Sequence, residues 1–391
     1  MSGAELVTLG CRLNIAESER MRAMMAGERD LVVVNSCAVT REAVRQTRQA
    51  IRRARRANPA ARLIVNGCAA ETEREAIAAM PEVDGLAANA AKLDPRAWNL
   101  PETAPPAPKH RTRAFVAVQN GCDHACTFCV IPQGRGASRS LTIAEVLREV
   151  ERHLMEGAPE IVLTGVDVTS WGHDLPDRPP LGALVQAILE GFPDLARLRM
   201  SSLDGIEIDP LLFELFASEK RLMPHLHLSL QHGHDLILKR MKRRHSRAQA
   251  VKLVSDLRAR RPDLAVGADL IAGFPTESDE HHEANLSIVR DLQIVHCHVF
   301  PYSPRDNTPA ARMPQVDRAI VKARAAELRA VAAATQAEWL ATLVDKPLSV
   351  LAERDGSGYA ENFARIALPD GMAAGTIATL TPRTIEGRLL V

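Results

Sequence analysis

The chain has 391 residues, 46% of them hydrophobic, which is enough to build two or three domains with buried cores. Its 49 Lys and Arg residues nearly balance 48 Asp and Glu residues, so a nucleic-acid partner would have to be bound by local basic patches. We expect a cytoplasmic protein without membrane contact, because no apolar run reaches the length of a membrane span, the start lacks signal-peptide character, and the seven cysteines suit a reducing compartment.

Residues 1–100 predict an open parallel α/β domain. Three segments of strand length are each followed by one cysteine and then by a helix. The strands are residues 5–9, 31–35 and 61–65, and the cysteines are Cys11, Cys37 and Cys68. The carboxyl ends of parallel strands lie along one edge of a sheet, so these thiols would meet there. A lone cysteine of this kind would be a core residue, but three in the same position indicate the ligands of an iron–sulfur cluster with one open iron.

The helix predicted for residues 41–56 is rich in arginine, and a second basic run covers residues 239–247. Such a run is either a solvated face or a surface for phosphate groups, and both alternatives stay open. The candidates for RNA contact on the first helix are Arg52, Arg53, Arg55 and Arg56.

Closely spaced prolines mark residues 101–112 as a linker, and the next strand runs into a cysteine loop. In that loop Cys122, Cys126 and Cys129 form C-x-x-x-C-x-x-C, so three thiolates can converge on one metal centre. No fourth cysteine follows nearby, and an iron–sulfur cluster would therefore keep one iron open. A zinc site completed by His124 is the alternative. The spacing, with Phe128 before the third cysteine, resembles the radical S-adenosylmethionine (SAM) enzymes, in which SAM chelates the open iron of a 4Fe–4S cluster.

Strands and helices alternate six times in residues 113–343, which predicts a partial (β/α)6 barrel with its site at the carboxyl ends of the strands. Candidate SAM contacts follow from this placement and from the cysteine loop. They are Phe128, Thr164, Gly165, Asp167, Ser201, Ser202, Ile271 and Gly273. Taken singly, residues of this kind are more often ordinary strand-end residues.

Two histidine pairs, His225 with His227 and His296 with His298, alternate along predicted strands. Each pair points to one face of its strand and no clustered acid accompanies it, so we expect packing roles. Cys297 points to the opposite face and is expected to lie in the core.

Residues 344–391 change to short β-rich segments with glycine-containing turns, which predicts a small OB-like barrel. Barrels of this kind often bind single-stranded nucleic acid by base stacking and phosphate contacts. Tyr359 and Phe363 are the candidates for stacking, and Arg354 and Arg365 are the candidates for phosphate contact. A packing module is the alternative. If the barrel binds RNA, we expect its deletion to weaken RNA binding and to leave SAM cleavage intact.

Along essentially the whole chain the residues resemble the methylthiotransferases, radical SAM enzymes with an N-terminal three-cysteine domain, a central SAM domain and a C-terminal TRAM barrel. Residues 9–14, 34–44 and 300–305 are most similar to the branch that acts on N6-threonylcarbamoyladenosine (t6A) beside the anticodon of tRNA. Residues 9–14 read Leu-Gly-Cys-Arg-Leu-Asn and are the most discriminating. Two departures, a shortened segment at residues 23–30 and the histidines His232 and His234, leave the placement of the substrate open.

The resemblance implies two 4Fe–4S clusters and SAM as cofactors. SAM at the cluster of Cys122, Cys126 and Cys129 would be cleaved to a 5′-deoxyadenosyl radical, which abstracts hydrogen from C2 of the adenine. Sulfur held at the other cluster and methylated by a second SAM would be transferred to that carbon. The implied partners are the tRNA anticodon stem-loop and a low-potential electron donor of the flavodoxin or ferredoxin type, and we expect a monomer.

Other functions remain open from sequence alone. One is an iron–sulfur electron carrier or RNA-binding protein without catalysis, which would yield no 5′-deoxyadenosine from SAM. The others are methylthiolation of isopentenyladenosine in tRNA or of an aspartate in a ribosomal protein.

Overall fold

The computed structural model describes residues 4–100 and 112–391, so the predicted linker lies outside the described residues except for Thr112. The predicted α/β class is confirmed: parallel sheets covered by helices are followed by a β-rich C-terminal unit. Among the described residues, no helix has the length and apolar character needed to cross a membrane.

The N-terminal unit is a parallel four-stranded sheet in the order β1-β2-β3-β4. Val32, Val33 and Val34 of the second strand are buried, as expected for a β-branched run inside a parallel sheet. Thr40 caps the second helix by accepting a hydrogen bond from the Ala43 backbone N–H at 3.0 Å. The elements are β1 Glu5–Thr8, α1 Arg12–Met24, β2 Leu31–Ser36, α2 Arg41–Ala57, β3 Arg62–Gly67, α3 Cys68–Thr72, α4 Arg74–Ala78, β4 Gly85–Leu86 and a 3-10 helix at Pro95–Trp98.

The central unit contains two parallel sheets, β5-β8-β9 and β10-β11-β12-β13, and a small antiparallel β6-β7 pair. A bridge between Leu198 and Leu222 connects β9 to the segment before β11. The elements are β5 Arg113–Ala117, β6 Gln119–Asn120, α5 Ile131–Arg135, β7 Arg139–Ser140, α6 Ile143–Met155, β8 Glu160–Thr164, α7 Leu181–Gly191, β9 Arg197–Met200, β10 Ser202–Leu203, α8 Pro210–Ser218, β11 His225–Gln231, α9 Asp235–Arg240, α10 Arg247–Arg260, β12 Ala265–Ala272, α11 Asp279–Asp291, β13 Ile294–Pro301 and α12 Arg318–Ala341, with 3-10 helices at Val168–Ser170, Gly205–Glu207 and Pro309–Arg312.

Alternate residues of these strands face opposite sides. Apolar residues such as Leu163, Leu226 and Leu270 join the core beneath the helices, and Cys297 packs against that core. The other face is polar, and we call the space in front of it the lumen. Its inward-facing residues are Glu160, Arg199, His225, His227, Asp269, His296 and His298.

The expectation that no acid accompanies the histidine pairs is wrong. Asp269 of β12 lies between His227 and His298, with its Oδ1 3.1 Å from His227 Nε2 and 3.0 Å from His298 Nδ1. The three residues come from neighbouring strands β11, β12 and β13. Asp269 is paired with His298, whereas His227 is paired with Gly267 and is a diagonal neighbour of Asp269. Spacing along one strand cannot reveal a partner on the next.

The C-terminal unit closes the lumen at the amino ends of the barrel strands. Arg197 donates to the Ser349 carbonyl at 2.7 Å, and Arg199 donates to the Glu361 carbonyl at 3.1 Å. Phe363 stacks on His225 with ring centroids 5.0 Å apart. The unit is a six-stranded sheet in the order β17-β14-β15-β16-β19-β18, with strands β14 Leu348–Ala352, β15 Ser357–Ala360, β16 Arg365–Ala367, β17 Ile377–Leu380, β18 Ile385–Glu386 and β19 Leu389–Leu390.

Candidate functional site

The loop between β6 and α5 carries Cys122, Cys126 and Cys129 as half-buried free thiols. The backbone N–H groups of His124 and Ile131 donate to the sulfurs of Cys122 and Cys129, each at 3.4 Å. Hydrogen bonds to sulfur stabilise thiolates and tune the potential of the clusters they bind.

Arg243 connects this loop to the barrel. Its Nη1 lies 3.6 Å from Cys126 Sγ, while its Nη2 donates to Asp204 at 2.9 Å and to the Ser229 carbonyl at 2.8 Å. Arg243 belongs to the basic run at residues 239–247, so that run is not simply a solvated face.

The carboxyl end of β8 lies beside the same loop. Asp167 Oδ2 is 2.7 Å from His124 Nε2 and 3.8 Å from Cys122 Sγ. Hydrogen bonding to Asp167 and then to Glu207 raises the pKa of His124 to about 10. Gln119 holds the turn by accepting hydrogen bonds from the Val166 and Asp167 backbone N–H groups at 3.0 and 2.9 Å.

The three N-terminal cysteines stand where the strands β1, β2 and β3 end, as predicted. Cys11 is exposed, whereas Cys37 and Cys68 are buried. Burial raises the pKa of the Cys37 thiol, and the nearby Cys68 and Cys11 thiols raise it further. The three thiols are therefore near enough to influence one another electrostatically.

Behind this site lies a buried ionic cluster around Glu17 of α1. Glu17 pairs with Lys92 at 2.5 Å and with Arg135 at 2.9 Å, and all three side chains are at most 3% exposed. Burial acts to raise the pKa of the Glu17 carboxyl, but the charges of Lys92 and Arg135 outweigh it and lower that pKa. Arg135 also donates to Asn14, so this ionic cluster joins the N-terminal unit to the central unit.

The helix that follows the second cysteine loop packs against Cys68 of the N-terminal triad. A Cβ added to Gly134 of α5 would lie 3.2 Å from Cys68 Cβ. Asn89 donates to the Gly134 carbonyl at 2.6 Å. Burial raises the pKa of Cys129 to about 11, with the thiols of Cys126 and Cys68 adding to the effect. Cys68 of the N-terminal triad therefore lies close to the loop that carries the other triad.

Both triads fit a cluster better than a single ion. A tetrahedral zinc ion with bonds of about 2.3 Å brings its sulfur ligands to about 3.8 Å from one another. Among the described residues, the groups whose ligand atoms all lie within 4.8 Å of one another do not include three cysteines. The wider spacing suits a larger inorganic centre. An anionic centre would be stabilised at both triads: by backbone N–H donors at Cys122 and Cys129, and by the cations Lys92 and Arg135 near Cys68.

Comparisons with known proteins agree with this geometry. Residues 116–287 match the radical SAM superfamily, and residues 4–88 match the uncharacterized protein family UPF0004. The chain is 42% identical to a threonylcarbamoyladenosine tRNA methylthiotransferase, MtaB, of Rickettsia prowazekii, over 95% of this chain and 93% of that protein.

The chain belongs to the methylthiotransferase family of radical SAM enzymes. It is also 32% identical to a tRNA-2-methylthio-N6-dimethylallyladenosine synthase of Paracoccus denitrificans, over 89% of this chain and 85% of that protein. Membership implies SAM and a 4Fe–4S cluster as cofactors.

Solved structures share the fold of this methylthiotransferase. The radical SAM methyltransferase TsrM from Kitasatospora setae aligns with a TM-score of 0.57 at 15% identity, covering 80% of this chain and 77% of that one. The cobalamin-dependent radical SAM enzyme OxsB aligns with a TM-score of 0.53 at 10% identity, covering 79% of this chain and 54% of that one.

The structure brings several predicted SAM contacts next to the cysteine loop of the methylthiotransferase. Thr164 ends β8, Gly165 and Asp167 follow it, and Asp167 lies beside Cys122. Ser202 pairs with the Ser229 hydroxyl at 2.7 Å, while the buried Ser201 hydroxyl has no hydrogen-bond partner in the described chain.

Phe128 and Ile271 lie together in a small apolar cluster with Phe274 and Tyr302. Gly273 has a φ of +72°, and its backbone N–H donates to Glu277. The cluster is an apolar surface of the kind that an adenine ring packs against. The eight assignments remain predictions.

The predicted RNA contacts differ in how free they are. Arg53 and Arg56 are exposed on α2. Arg52 is 54% exposed beside Glu82. Arg55 instead donates to the carbonyls of Glu82, Pro59 and Ala61 and to Asp84, so it is committed to holding the end of α2.

On the C-terminal unit, Arg354 is exposed and Arg365 pairs with Asp355 at 2.8 Å. Tyr359 and Phe363 stack on each other, and the guanidinium of Arg113 lies 4.6 Å from the centre of the Tyr359 ring. Base stacking by either ring would have to displace these contacts.

Sequence reasoning missed the residues that surround the cysteines. Neither a buried ion pair nor a hydrogen bond between units leaves a periodic signal. Two of them had a usable clue, because Asn14 ends the Cys-Arg-Leu-Asn segment and Arg135 ends the short helix that directly follows the cysteine loop. The missed residues are Asn14, Glu17, Lys92, Gln119, Arg135, Asp204 and Arg243.

Proposed function

We propose that this methylthiotransferase converts t6A beside the anticodon of tRNA to its 2-methylthio derivative. The observation that carries the proposal is the close packing of Cys68 against Gly134 of α5, the helix that directly follows the other cysteine loop. Attachment of sulfur to an unreactive carbon needs a hydrogen-abstracting centre and a sulfur-presenting centre at the same atom. The 42% identity to a t6A enzyme, against 32% for a dimethylallyladenosine enzyme, supports t6A as the substrate.

The proposal assigns a second 4Fe–4S cluster to Cys11, Cys37 and Cys68. When bound, the two clusters supply the electron that cleaves SAM and the sulfur that is transferred. Cys122, Cys126 and Cys129 hold the first cluster, and Arg243 fixes the loop against Asp204.

The ionic cluster of Glu17, Lys92 and Arg135 keeps the two sites in register by tying α1 to the helix that follows the cysteine loop. This is positioning, because these residues lie behind the cysteines. The candidate SAM contacts would orient the cofactor from the strand ends.

A basic groove of about 480 Å³ between α2 and the loop after β13 supports tRNA as the partner. Its acids, Glu73 and Asp306, pair with Arg305 at 3.0 Å and with Arg41 at 3.7 Å and leave an excess of positive charge. Phosphates of the anticodon stem would fit this groove. Its arginines are Arg41, Arg45, Arg48, Arg52 and Arg305.

We further propose that the protein acts as a cytoplasmic monomer and takes electrons from a low-potential donor of the flavodoxin or ferredoxin type. A reducing compartment suits the free thiols.

The test is an anaerobic reaction of reconstituted, reduced protein with SAM and tRNA that carries either t6A or dimethylallyladenosine. Mass spectrometry of the nucleosides should show 2-methylthio-t6A and little product on the other tRNA. Product only on dimethylallyladenosine would reassign the substrate. Absence of both products and of 5′-deoxyadenosine would favour a non-catalytic iron–sulfur protein.

A further inference from the structure

The side chain of Arg12 enters the lumen from the N-terminal unit. Arg12 directly follows Cys11 and begins α1, and its guanidinium carbon lies 5.6 Å from the centre of the Phe363 ring. The side chain is half-buried. No residue in the described ranges accepts a hydrogen bond from it or forms an ion pair with it. Its five N–H donors therefore face the lumen without a protein acceptor.

The other charged groups around Arg12 have partners. Arg199 pairs with Glu160 at 2.9 Å, and Arg113 pairs with Glu353 at 2.8 Å. Asp269 lies within hydrogen-bonding distance of both His227 and His298. Arg12 therefore adds a positive charge to a lumen whose acids are already engaged.

A half-buried guanidinium without a protein acceptor is free to bind an external anion that replaces its water. Arginine matches a carboxylate especially well, because its planar fork can donate two parallel hydrogen bonds.

We propose that Arg12 binds the free carboxylate of the substrate's N6 substituent. This inference rests on the proposed function. The threonylcarbamoyl group of t6A ends in a carboxylate, whereas a dimethylallyl group carries no charge. The charge on Arg12 therefore favours the first substrate and leaves a desolvated cation against the second.

The position of Arg12 suits this role. Consecutive Cα atoms are about 3.8 Å apart, so Arg12 is next to a ligand of the proposed sulfur-presenting site. A substrate with C2 at that site would extend its N6 substituent away from the cysteines, and the long Arg12 side chain can reach a group that lies deeper in the lumen. Asp269 and His298 provide polar groups in the same space.

The test compares binding of two anticodon stem-loops, one with t6A and one whose threonyl carboxylate is capped as the methylamide. The wild-type holoenzyme should bind the carboxylate form about 10- to 100-fold more tightly, as expected for a charge-assisted pair. Arg12→Gln should bind both forms with equal affinity. The matched control is Arg22→Gln, which removes the same charge from an exposed position on the same helix and should keep the wild-type preference.

Iron content and SAM cleavage without RNA show whether Arg12→Gln is intact, and the wild-type comparison of the two stem-loops needs no variant. Equal wild-type affinity for the two forms would overturn the inference, as would a carboxylate preference that persists in Arg12→Gln. The proposed reaction can fail independently of this inference. If the wild-type protein prefers the carboxylate form through Arg12 but does not modify C2, the binding site is supported and the reaction is refuted.

Discussion

Gly10 allows the backbone before Cys11 to pass directly over Cys37. Its φ is +94°, and an added Cβ would lie 2.8 Å from Cys37 Cβ and 2.9 Å from Cys37 Sγ. A side chain there would be strained by the backbone and would also press on Cys37, a ligand of the proposed second cluster.

We therefore predict that Gly10→Ala loses the N-terminal cluster and keeps the other. Iron should fall from about eight to about four per chain, methylthio transfer should stop, and SAM cleavage should continue. Gly27→Ala is the control, because an added Cβ there meets nothing within 4 Å. Full iron content in Gly10→Ala would show that the loop can move aside.

A second residue-scale prediction concerns His153 of α6. Burial, and then the charge of Arg152, lower the pKa of His153 to about 4. Glu19 and Arg20 of α1 and Glu149 of α6 line the same small cavity. In the unfolded chain the histidine pKa is near 6.5. Between pH 6.5 and 4 the unfolded chain therefore binds a proton at His153 that the folded chain does not bind, and the free energy of unfolding decreases as the pH falls through this range.

His153→Leu should therefore be less sensitive to acid than the wild type. Between pH 7.5 and pH 5.5 the wild type should lose about 1 kcal/mol of unfolding free energy through this group. Chemical unfolding at the two pH values measures the difference. Equal pH dependence in both proteins would mean that His153 is hydrated in the folded state.

At the scale of elements, α2 separates structural arginines from available ones. Arg55 is turned towards three carbonyls and Asp84 at the end of the helix, whereas Arg53 is exposed with no ion pair in the part of the chain described here. Composition alone treats these arginines alike.

Replacing Arg55 and Arg53 by Gln should have different effects on Tm and on the salt dependence of tRNA binding. Arg55→Gln should lower Tm by a few degrees, because the partly buried carbonyls of Ala61 and Glu82 lose their donor. Arg53→Gln should keep Tm and lower the slope of log K for tRNA against log salt by about 0.7–0.9 if it contacts a phosphate. An unchanged slope would return Arg53 to the solvated face of the helix.

At the scale of the whole molecule, the C-terminal unit forms part of the structure of the central (β/α)6 barrel. The backbone carbonyls of Ser349, Tyr359 and Glu361 accept from Arg197 and Arg199, which also neutralise the buried Glu160. Removing these acceptors would expose a charged lumen.

We predict that deletion of residues 347–391 lowers Tm and reduces SAM cleavage even without tRNA. The expectation drawn from sequence is different: deletion of the C-terminal barrel should leave SAM cleavage intact. Arg354→Glu on the intact chain is the better test of RNA contact, since the residue is exposed. Wild-type SAM cleavage by the truncated protein would show that the lumen does not need this cover.

Much of the architecture was predictable from sequence. The strands at residues 5–9, 31–35 and 61–65 and the six central repeats were found because buried strands are apolar and β-branched. The cysteine positions followed from the rule that parallel strands end at one edge. The partner of a polar residue was not predictable, as Asp269 between His227 and His298 shows, because strand pairing determines it.

The sequence by itself determined the two cysteine triads, the order of the three units and the family, since these depend on local spacing and on periods of two and 3.6 residues. Only the tertiary structure decided that Gly134 meets Cys68, that Glu17 joins two buried cations, that Arg55 is committed and that Arg12 is not. Each of these is a contact between residues far apart in the chain or a free group among paired ones. Such contacts depend on how the units pack, and no pattern along a single segment encodes them.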